Sequence, residues 1–200
     1  MNMRIGILSL QGDFAEHSHA TLSAAYRLNT PCTIVHVRTK EQLEGLDGLI
    51  MPGGESTTMS KLLLRKGMFS EISKIPKILG TCAGAIMMAK KVEGAIPGQH
   101  FLSLMDIGVK RNAYGSQASS FQMRLKTSLG DVDATFIRAP LINFLGENVK
   151  PLAYAGENPV AAYEQVGNSH YLACAFHPEL STTLFHEFFL KLGSNEIAQQ

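Results

Sequence analysis

The sequence predicts an α/β fold with a mostly parallel central sheet flanked by helices and an additional antiparallel, strand-rich part in its second half. Short apolar runs alternate with amphipathic stretches in the first half of the chain, whereas strand-like runs follow one another in the second. The chain has 200 residues, of which 45% are hydrophobic, so it can bury a sizeable core. We expect one domain over residues 1–200, with a polar tail at about residues 193–200.

Strands and helices alternate in the first half. The apolar runs predict strands at 5–10, 33–37, 46–51 and 76–81, and the amphipathic stretches predict helices at 14–28, 56–66 and 83–91. Strands that are separated by helices imply crossover connections, and therefore a parallel sheet covered on both faces.

The second half is strand-rich and closes with a helix. Strand-like runs separated by Gly, Asn, Asp and Pro lie at 120–126, 133–138, 149–155, 160–166 and 170–176. Several of these runs should pair as antiparallel hairpins. An amphipathic stretch predicts the last helix at 181–192.

Composition and charge argue against several classes of protein. The formal net charge is +1 and the basic residues are scattered, which disfavours a nucleic-acid-binding protein. The apolar stretch at the N-terminus is too short for a signal peptide or a membrane span. Three cysteines without a Cys-x-x-Cys pair argue against a disulfide framework or a thiolate zinc site, so we expect a cytoplasmic protein with reduced thiols.

The stretch Gly80-Thr-Cys-Ala-Gly84 predicts a nucleophile at Cys82. Its glycines permit a sharp turn between a strand and a helix, as in the Gly-x-Ser-x-Gly elbow of hydrolases. The carboxyl end of a parallel strand is where α/β proteins place their sites, and a helix N-terminus favours a thiolate. Cys32 and Cys174 lack these features and read as structural cysteines.

The stretch Cys174-Ala-Phe-His-Pro-Glu179 supplies a base for that nucleophile. If Glu179 holds one imidazole nitrogen of His177, the other nitrogen can face Cys82 and relay protons. Taken alone, His177 and Glu179 could equally be a surface pair at a strand end. Together with the elbow, they favour a Cys-His-Glu triad.

Two further stretches bear on ligand binding. Met51-Pro-Gly-Gly-Glu-Ser-Thr57 follows a predicted strand, and its glycines allow backbone amides to approach an oxyanion. The spacing of its glycines and the missing lysine argue against a phosphate loop.

His17 and His19 are two residues apart on a helix, which favours a solvated face or a partner contact over a metal site. Arg111 and Arg138 could each clamp a carboxylate, although ordinary surface arginines explain them as well.

Together these motifs resemble the class I glutamine amidotransferases, and in particular the glutaminase subunits of pyridoxal 5′-phosphate synthase. The resemblance implies the sandwich-like α/β fold of that superfamily and covers nearly the whole chain. It is carried by Leu10-Gln-Gly-Asp13 with Glu16-His17, Pro52-Gly-Gly-Glu-Ser-Thr-Thr58, Gly80-Thr-Cys-Ala-Gly84, Arg111-Asn-Ala-Tyr-Gly115 with Gln117 and Ser120-Phe121, Phe136-Ile-Arg-Ala-Pro140, and Phe176-His-Pro-Glu179.

The resemblance implies hydrolysis of L-glutamine to glutamate and ammonia through a cysteine thioester, with no metal or organic cofactor. It implies a hetero-oligomeric complex in which a barrel-shaped synthase subunit uses the ammonia to build vitamin B6. By position, the implied catalytic residues are Cys82, His177 and Glu179, with the amides of Gly54 and Ala83 stabilising the oxyanion. The implied glutamine-binding residues are Gly54, Glu55, Ser56, Arg111, Ile137 and Arg138.

The same resemblance implies activation by docking. If the Gly53–Gly54 peptide must turn over to present its amide, the free subunit binds glutamine but hydrolyses it poorly. We expect Gln11, Glu16 and His17 to contribute to the docking face. Two departures from the family pattern, a longer segment at 29–33 and a serine at 116 where relatives often have arginine, concern substrate or partner contacts.

Two alternatives remain open from the sequence. The triad is shared across the superfamily, so the chain could supply ammonia to another acceptor enzyme, such as one of histidine biosynthesis. It could also be a non-enzymatic thiol sensor or binding module, because a fold does not determine a function. A sensor would have no use for the His177 and Glu179 pair.

Overall fold

A computed structural model of the chain describes residues 2–111, 113 and 120–193. The expectations for Asn112, Tyr114, Gly115, Ser116 and Gln117, and for the polar tail beyond residue 193, lie outside the described residues.

A nine-stranded mixed sheet forms the centre of the fold, in the strand order β2-β1-β3-β4-β12-β11-β10-β7-β8. The first five strands in this order are parallel to one another, and the remaining pairs are antiparallel. These strands are β1 (Met3–Leu8), β2 (Cys32–Val37), β3 (Gly48–Met51), β4 (Lys77–Thr81), β7 (Phe121–Thr127), β8 (Gly130–Phe136), β10 (Lys150–Ala155), β11 (Asn158–Val166) and β12 (Ser169–Cys174). The expected combination of a parallel sheet and antiparallel hairpins is confirmed.

A smaller sheet of three strands has the order β5-β6-β9. Its strands are β5 (Ala89–Glu93), β6 (Met105–Lys110) and β9 (Leu141–Leu145). β5 and β6 are parallel, whereas β6 and β9 are antiparallel.

Helices cover the large sheet in two groups. They are α1 (Phe14–Arg27), α2 (Ser56–Arg65), α3 (Phe69–Ile72), α4 (Ala83–Met88) and α5 (Leu184–Lys191), with 3₁₀ turns at Lys40–Leu43 and Pro178–Leu180. α1 packs against α5, and α2 packs against α4. The connection from β1 through α1 leads to β2, toward one edge of the sheet, and the connection from β3 through α2 leads to β4, toward the other edge. Because both crossovers are right-handed, α1 and α2 lie on opposite faces. No helix in the described part of the chain is long and apolar enough to cross a membrane.

The core lies on both faces of the central strands. Every residue of β3 and β4 is buried, as expected for strands covered by helices on both sides. Phe176, Phe185 and Phe189 are fully buried and join the end of the sheet to α5. The site-bearing strands are therefore held rigidly from both faces.

The structure corrects several predicted elements. The helix expected at 83–91 ends at Met88, because the next residues pair with β6 as strand β5. The sequence patterns did not indicate β5, β6, β9 or α3. The strand expected at 133–138 ends at Phe136, since Arg138 has a positive φ of 45° that no strand accommodates.

A pair of buried histidines joins α1 to α5. His17 Nδ1 lies 3.0 Å from His186 Nε2, and both side chains are fully buried. The structure therefore corrects two expectations for His17: its side chain lies on no solvated helix face, and it contributes no surface to a docking face. His19, two residues away, is exposed.

We predict that the His186→Leu variant loses less stability than the wild type when the pH is lowered. Burial lowers the pKa of His17 to about 3 and that of His186 well below its ordinary value. Below about pH 6.5 the unfolded chain therefore binds protons that the folded chain does not, and one such histidine costs about 2 kcal/mol between about pH 6.5 and 4.5.

Urea unfolding of the wild type and the variant at these two pH values measures the difference. His19→Leu is the matched control, because His19 is exposed, and it should retain the full wild-type pH dependence. An unchanged pH dependence in His186→Leu would contradict the prediction.

Candidate active site

Cys82 lies at a strained turn between β4 and α4. Its φ of 47° and ψ of −103° are unusual for a residue with a side chain, and such backbone strain costs about 1–3 kcal/mol. Glycines make the turn possible: a Cβ atom on Gly84 would collide with the carbonyl oxygen of Met51, and one on Gly80 would lie 2.7 Å from the backbone of Gly84. The turn therefore packs directly on β3 and holds the thiol at the carboxyl end of the sheet.

The other two cysteines have different environments. Cys174 is fully buried at the end of β12, and burial raises the pKa of its thiol well above the ordinary value. Cys32 lies at the start of β2, at the opposite end of the parallel strands, and partial burial also raises its pKa. Cys174 lies at the same edge of the sheet as Cys82, and its carbonyl accepts from the amide of Cys82 at 2.8 Å, but of the three cysteines only Cys82 lines the cavity of the candidate site.

His177 and Glu179 follow β12, the neighbour of β4 in the sheet. The amide of His177 donates to the carbonyl of Thr135 at 2.9 Å, and Pro178 begins the 3₁₀ turn that contains Glu179. His177 Nδ1 lies 2.6 Å from Glu179 Oε1. Burial disfavours the charged ring, but the nearby Cys82 thiol is among the groups that raise the pKa of His177. The other ring nitrogen, Nε2, is buried and has no hydrogen-bond partner among the described residues, so it is free to accept a proton from the thiol.

Asp13 is a second carboxylate on the same imidazole nitrogen. Its Oδ2 lies 2.7 Å from His177 Nδ1, and it belongs to the loop between β1 and α1. The sequence analysis did not identify Asp13 as a site residue. Its position after β1, a parallel strand of the same sheet, was the available signal.

The charges around His177 are strongly coupled. Burial disfavours the imidazolium, but the hydrogen bonds to Asp13 and Glu179, together with the nearby Cys82 thiol, outweigh burial and raise the pKa of His177. Burial raises the pKa of Glu179 well above its usual value, and the neighbouring Asp13 charge adds to this effect. Burial also disfavours ionised Asp13, yet its hydrogen bond to His177 and the nearby Glu179 carboxyl group bring its pKa well below the usual range.

The buried ring of His17 lies behind Glu179. His17 Nε2 is 3.3 Å from Glu179 Oε2 and 3.0 Å from Thr81 Oγ1, on the residue before the nucleophile. The donor atoms of Asp13, His17 and Glu179 lie within 4.8 Å of one another, close enough to hold a metal ion. Because His17 bonds Thr81 and His186, and both carboxylates bond His177, we interpret the group as a hydrogen-bonded network.

The glycine loop after β3 lies beside the imidazole. A Cβ atom on Gly53 would collide with His177 Cε1, and Gly54 has a φ of 122° that favours glycine. The Gln11 side chain brackets this loop: its Nε2 donates to the carbonyl of Gly53 at 3.2 Å, and its Oε1 accepts from the amide of Glu55 at 2.8 Å. The loop is therefore held in its present conformation by a residue of the β1–α1 connection.

A cavity next to the thiol brings most of the predicted substrate-binding residues together. It is lined by Gly54, Glu55, Ser56, Cys82, Ile86, Arg111 and Arg138. The carbonyl of Ile137 is 3.8 Å from the thiol sulfur, and Ala83 begins α4 immediately beside it. The predicted catalytic, oxyanion and substrate-binding residues thus lie in or next to this cavity. Glu16, which was predicted to contribute to a docking face, is exposed on α1.

Arg111 is oriented by polar partners within this cavity. Its guanidinium donates to Gln99 Oε1 at 2.9 Å and to the carbonyl of Gly94 at 3.0 Å, and it lies 3.3 Å from Glu55 Oε1. Gln99 also donates to Ser56 Oγ at 3.3 Å. The sequence analysis missed Gln99, because no motif connects the loop between β5 and β6 to the site.

This arrangement can perform nucleophilic acyl transfer. It combines a thiol at a helix N-terminus, an imidazole held by carboxylates, backbone amides at a glycine loop, and opposite charges on Arg111 and Glu55 for a zwitterionic ligand.

Known proteins are similar to this chain in sequence and in fold. The pyridoxal 5′-phosphate synthase subunit PdxT of Pyrococcus horikoshii is 44% identical over 197 residues, which cover 94% of this chain and 98% of that protein. The protein of the same name from Oenococcus oeni is 44% identical over 198 residues, covering 96% and 97% of the two chains. A crystal structure of a glutamine amidotransferase superposes with a TM-score of 0.80 at 43% identity, covering 94% of this chain and 98% of that one.

The profile of the SNO glutamine amidotransferase family matches residues 7–194, which include every residue of the candidate site. With this match and relatives of more than 40% identity over nearly their full length, the chain belongs to the SNO glutamine amidotransferase family.

Proposed function

We propose that this chain hydrolyses L-glutamine to L-glutamate and ammonia, and that it does so as the glutaminase subunit of a pyridoxal 5′-phosphate synthase in the cytoplasm. The observation that carries the proposal is the Cys82 elbow beside His177, whose Nδ1 lies 2.6 Å from Glu179. Family membership and the names of the relatives support the substrate and the pathway.

The first half of the reaction forms a thioester. The raised pKa of His177 favours transfer of the thiol proton to its Nε2, which leaves a Cys82 thiolate beside an imidazolium. The sulfur attacks the side-chain carboxamide carbon of glutamine. The amides of Gly54 and Ala83 donate to the resulting oxyanion, and Ala83 is well placed because it begins α4.

The second half releases both products. His177 gives its Nε2 proton to the amide nitrogen as the carbon–nitrogen bond breaks, so ammonia leaves and a glutamyl thioester remains. The neutral imidazole then takes a proton from water, whose oxygen attacks the thioester carbonyl. Cys82 leaves as a thiolate, and the net reaction consumes one water and yields glutamate and ammonia.

The charged ends of glutamine match the cavity. Arg111 binds the α-carboxylate, for which its planar guanidinium is suited, and Glu55 faces the α-ammonium. Ser56 and the backbone at Ile137 and Arg138 complete the contacts with the amino-acid end. Ammonia released at Cys82 then passes to the synthase subunit.

Docking of the synthase subunit uses the exposed side of α1. Tyr26 is 89% exposed and Leu22 48% exposed, which is unusual for apolar side chains on a helix, and Glu16 lies on the exposed side as well. The helix begins next to Asp13, and the preceding loop holds Gly53 through Gln11. A partner on α1 can therefore act on the glycine loop.

We predict that Cys82→Ala lowers glutamate release by about 10⁴-fold or more, because no other group can form the thioester. The assay is glutamate production from L-glutamine with the synthase subunit present, and circular dichroism establishes that the variant is folded. Cys32→Ala removes a thiol at the far end of the sheet and should retain activity. Substantial turnover by Cys82→Ala would exclude the mechanism.

We predict that Arg111→Gln raises KM for glutamine about 10–100-fold with a much smaller effect on kcat, because a charge-assisted contact to the carboxylate is lost. Steady-state kinetics over a range of glutamine concentrations separates the two constants. Arg65→Gln, on an exposed residue at the end of α2, is the matched control. An unchanged KM in Arg111→Gln would remove this residue from the binding site.

We predict that a matching synthase subunit raises glutaminase activity at least about tenfold, and that Tyr26→Asp weakens this activation by burying a charge in the interface. Titration of the synthase subunit at fixed glutamine measures both effects. Tyr154→Asp places the same charge on an exposed tyrosine of β10 and should leave the titration unchanged. Equal activity with and without the synthase subunit would argue against activation by docking.

A further inference from the structure

Two carboxylates compete for one imidazole nitrogen in the site. His177 Nδ1 is 2.7 Å from Asp13 Oδ2 and 2.6 Å from Glu179 Oε1, both within the range of charge-assisted hydrogen bonds. An imidazole nitrogen carries one hydrogen, so the two acceptors share it. Both carboxyl groups therefore lie close to each other on one side of the ring.

Two carboxylates this close together cannot both be ionised without a large cost, as in other carboxylate pairs that share a site. The pair therefore retains one proton near neutral pH and carries a single negative charge toward the imidazole. The pKa values of the two groups are shifted in opposite directions, which agrees with one shared proton. Glu179 is the more protonated member and Asp13 the more ionised one.

We propose that Asp13 is a positioning residue of the glutaminase reaction, which holds the Nδ1 proton of His177 together with Glu179 so that a carboxylate pair, rather than one carboxylate, orients the imidazole toward Cys82. This inference rests on the proposed function for its kinetic consequences. Its electrostatic consequence, the state of the His177 ring, is independent of turnover.

Helix capping does not explain Asp13. It precedes the first residue of α1, but its side chain makes no hydrogen bond to the helix amides. Its Oδ1 is buried and has no partner among the described residues, which costs free energy that a capping role would have avoided. The contacts of its other oxygen are directed at His177 instead.

The remaining groups around His177 in the described part of the chain do not include a third carboxylate. Cys82 faces the ring from the elbow, and His17 approaches from α1. Burial lowers the pKa of His17 to about 3, so this ring is neutral in the folded protein. Asp13 and Glu179 are thus the carboxylates in contact with His177 in the described part of the chain.

The proposal predicts that either carboxylate can still orient His177 when the other is removed. Asp13→Asn and Glu179→Gln each remove one carboxyl group and keep the shape, and the remaining carboxylate still carries the negative charge and holds Nδ1. We expect each single variant to lose about tenfold in kcat or less, and the double variant to lose about 10³-fold, more than the product of the single losses. KM for glutamine should change little, because neither residue lines the cavity.

The assay is glutamate release by the complex with the synthase subunit, with Asp131→Asn on the exposed edge of β8 as the charge-matched control. A double variant whose loss equals the product of the single losses would overturn the proposal. So would a Glu179→Gln variant that is as inactive as the double variant.

A second measurement needs no turnover. Nitrogen-15 NMR titration of the His177 imidazole in the free subunit should show that Asp13→Asn or Glu179→Gln alone changes its pKa little, since the remaining carboxylate carries the single charge. The double variant should lower that pKa by about 1 or more, while Asp131→Asn leaves it unchanged. A folded Glu179→Gln protein in which the pKa of His177 falls as far as in the double variant overturns the proposal, because Asp13 would then contribute nothing. If only the double variant shifts the titration but the wild type hydrolyses no glutamine, the carboxylate pair stands and the proposed reaction is wrong.

Discussion

The close packing of the β4–α4 turn on β3 is the constraint on which the rest of the site depends. Side chains at Gly80 or Gly84 would force the turn away from Met51, and the Cys82 thiol would move with it. The strain at Cys82 is held because the surrounding strands are buried on both faces. The core thus determines where the nucleophile lies, and the other groups are arranged around a fixed sulfur.

The parallel register of the central strands brings the remaining groups to that sulfur. β1, β3, β4 and β12 are neighbours in the sheet, and their carboxyl ends lead to Asp13, Gly53, Cys82 and His177, in that order. The crossover connections from β1 and from β3 lead toward opposite edges of the sheet. Open α/β sheets form their binding crevice between two such neighbouring strands. The antiparallel half contributes through the backbone at Ile137, at the exit of β8.

Electrostatics in the site follows from burial. A charged imidazole at 4% exposure is stable only next to compensating anions, and two carboxylates are provided where one would satisfy the charge. His17, which lies behind these carboxylates, stays neutral because it is buried. It has hydrogen-bond partners, but the carboxylates near it already interact with His177. The β1–α1 connection holds both halves of the site, Asp13 on the base and Gln11 on the glycine loop, so a partner that moves this connection affects both.

The sequence by itself determined the α/β class, the elbow at Cys82, the His177 and Glu179 pair, and the family resemblance, because these depend on local periodicity and on motifs of a few residues. Only the tertiary structure decided that Asp13 contacts His177, that Gln99 orients Arg111, and that His17 is buried. Residues 13 and 177 are 164 positions apart, and no local pattern relates them. The strand β5 likewise exists because β6 pairs with it, although its own residues favour a helix. Long-range pairing and burial set these features, and they arise only when the whole chain is folded.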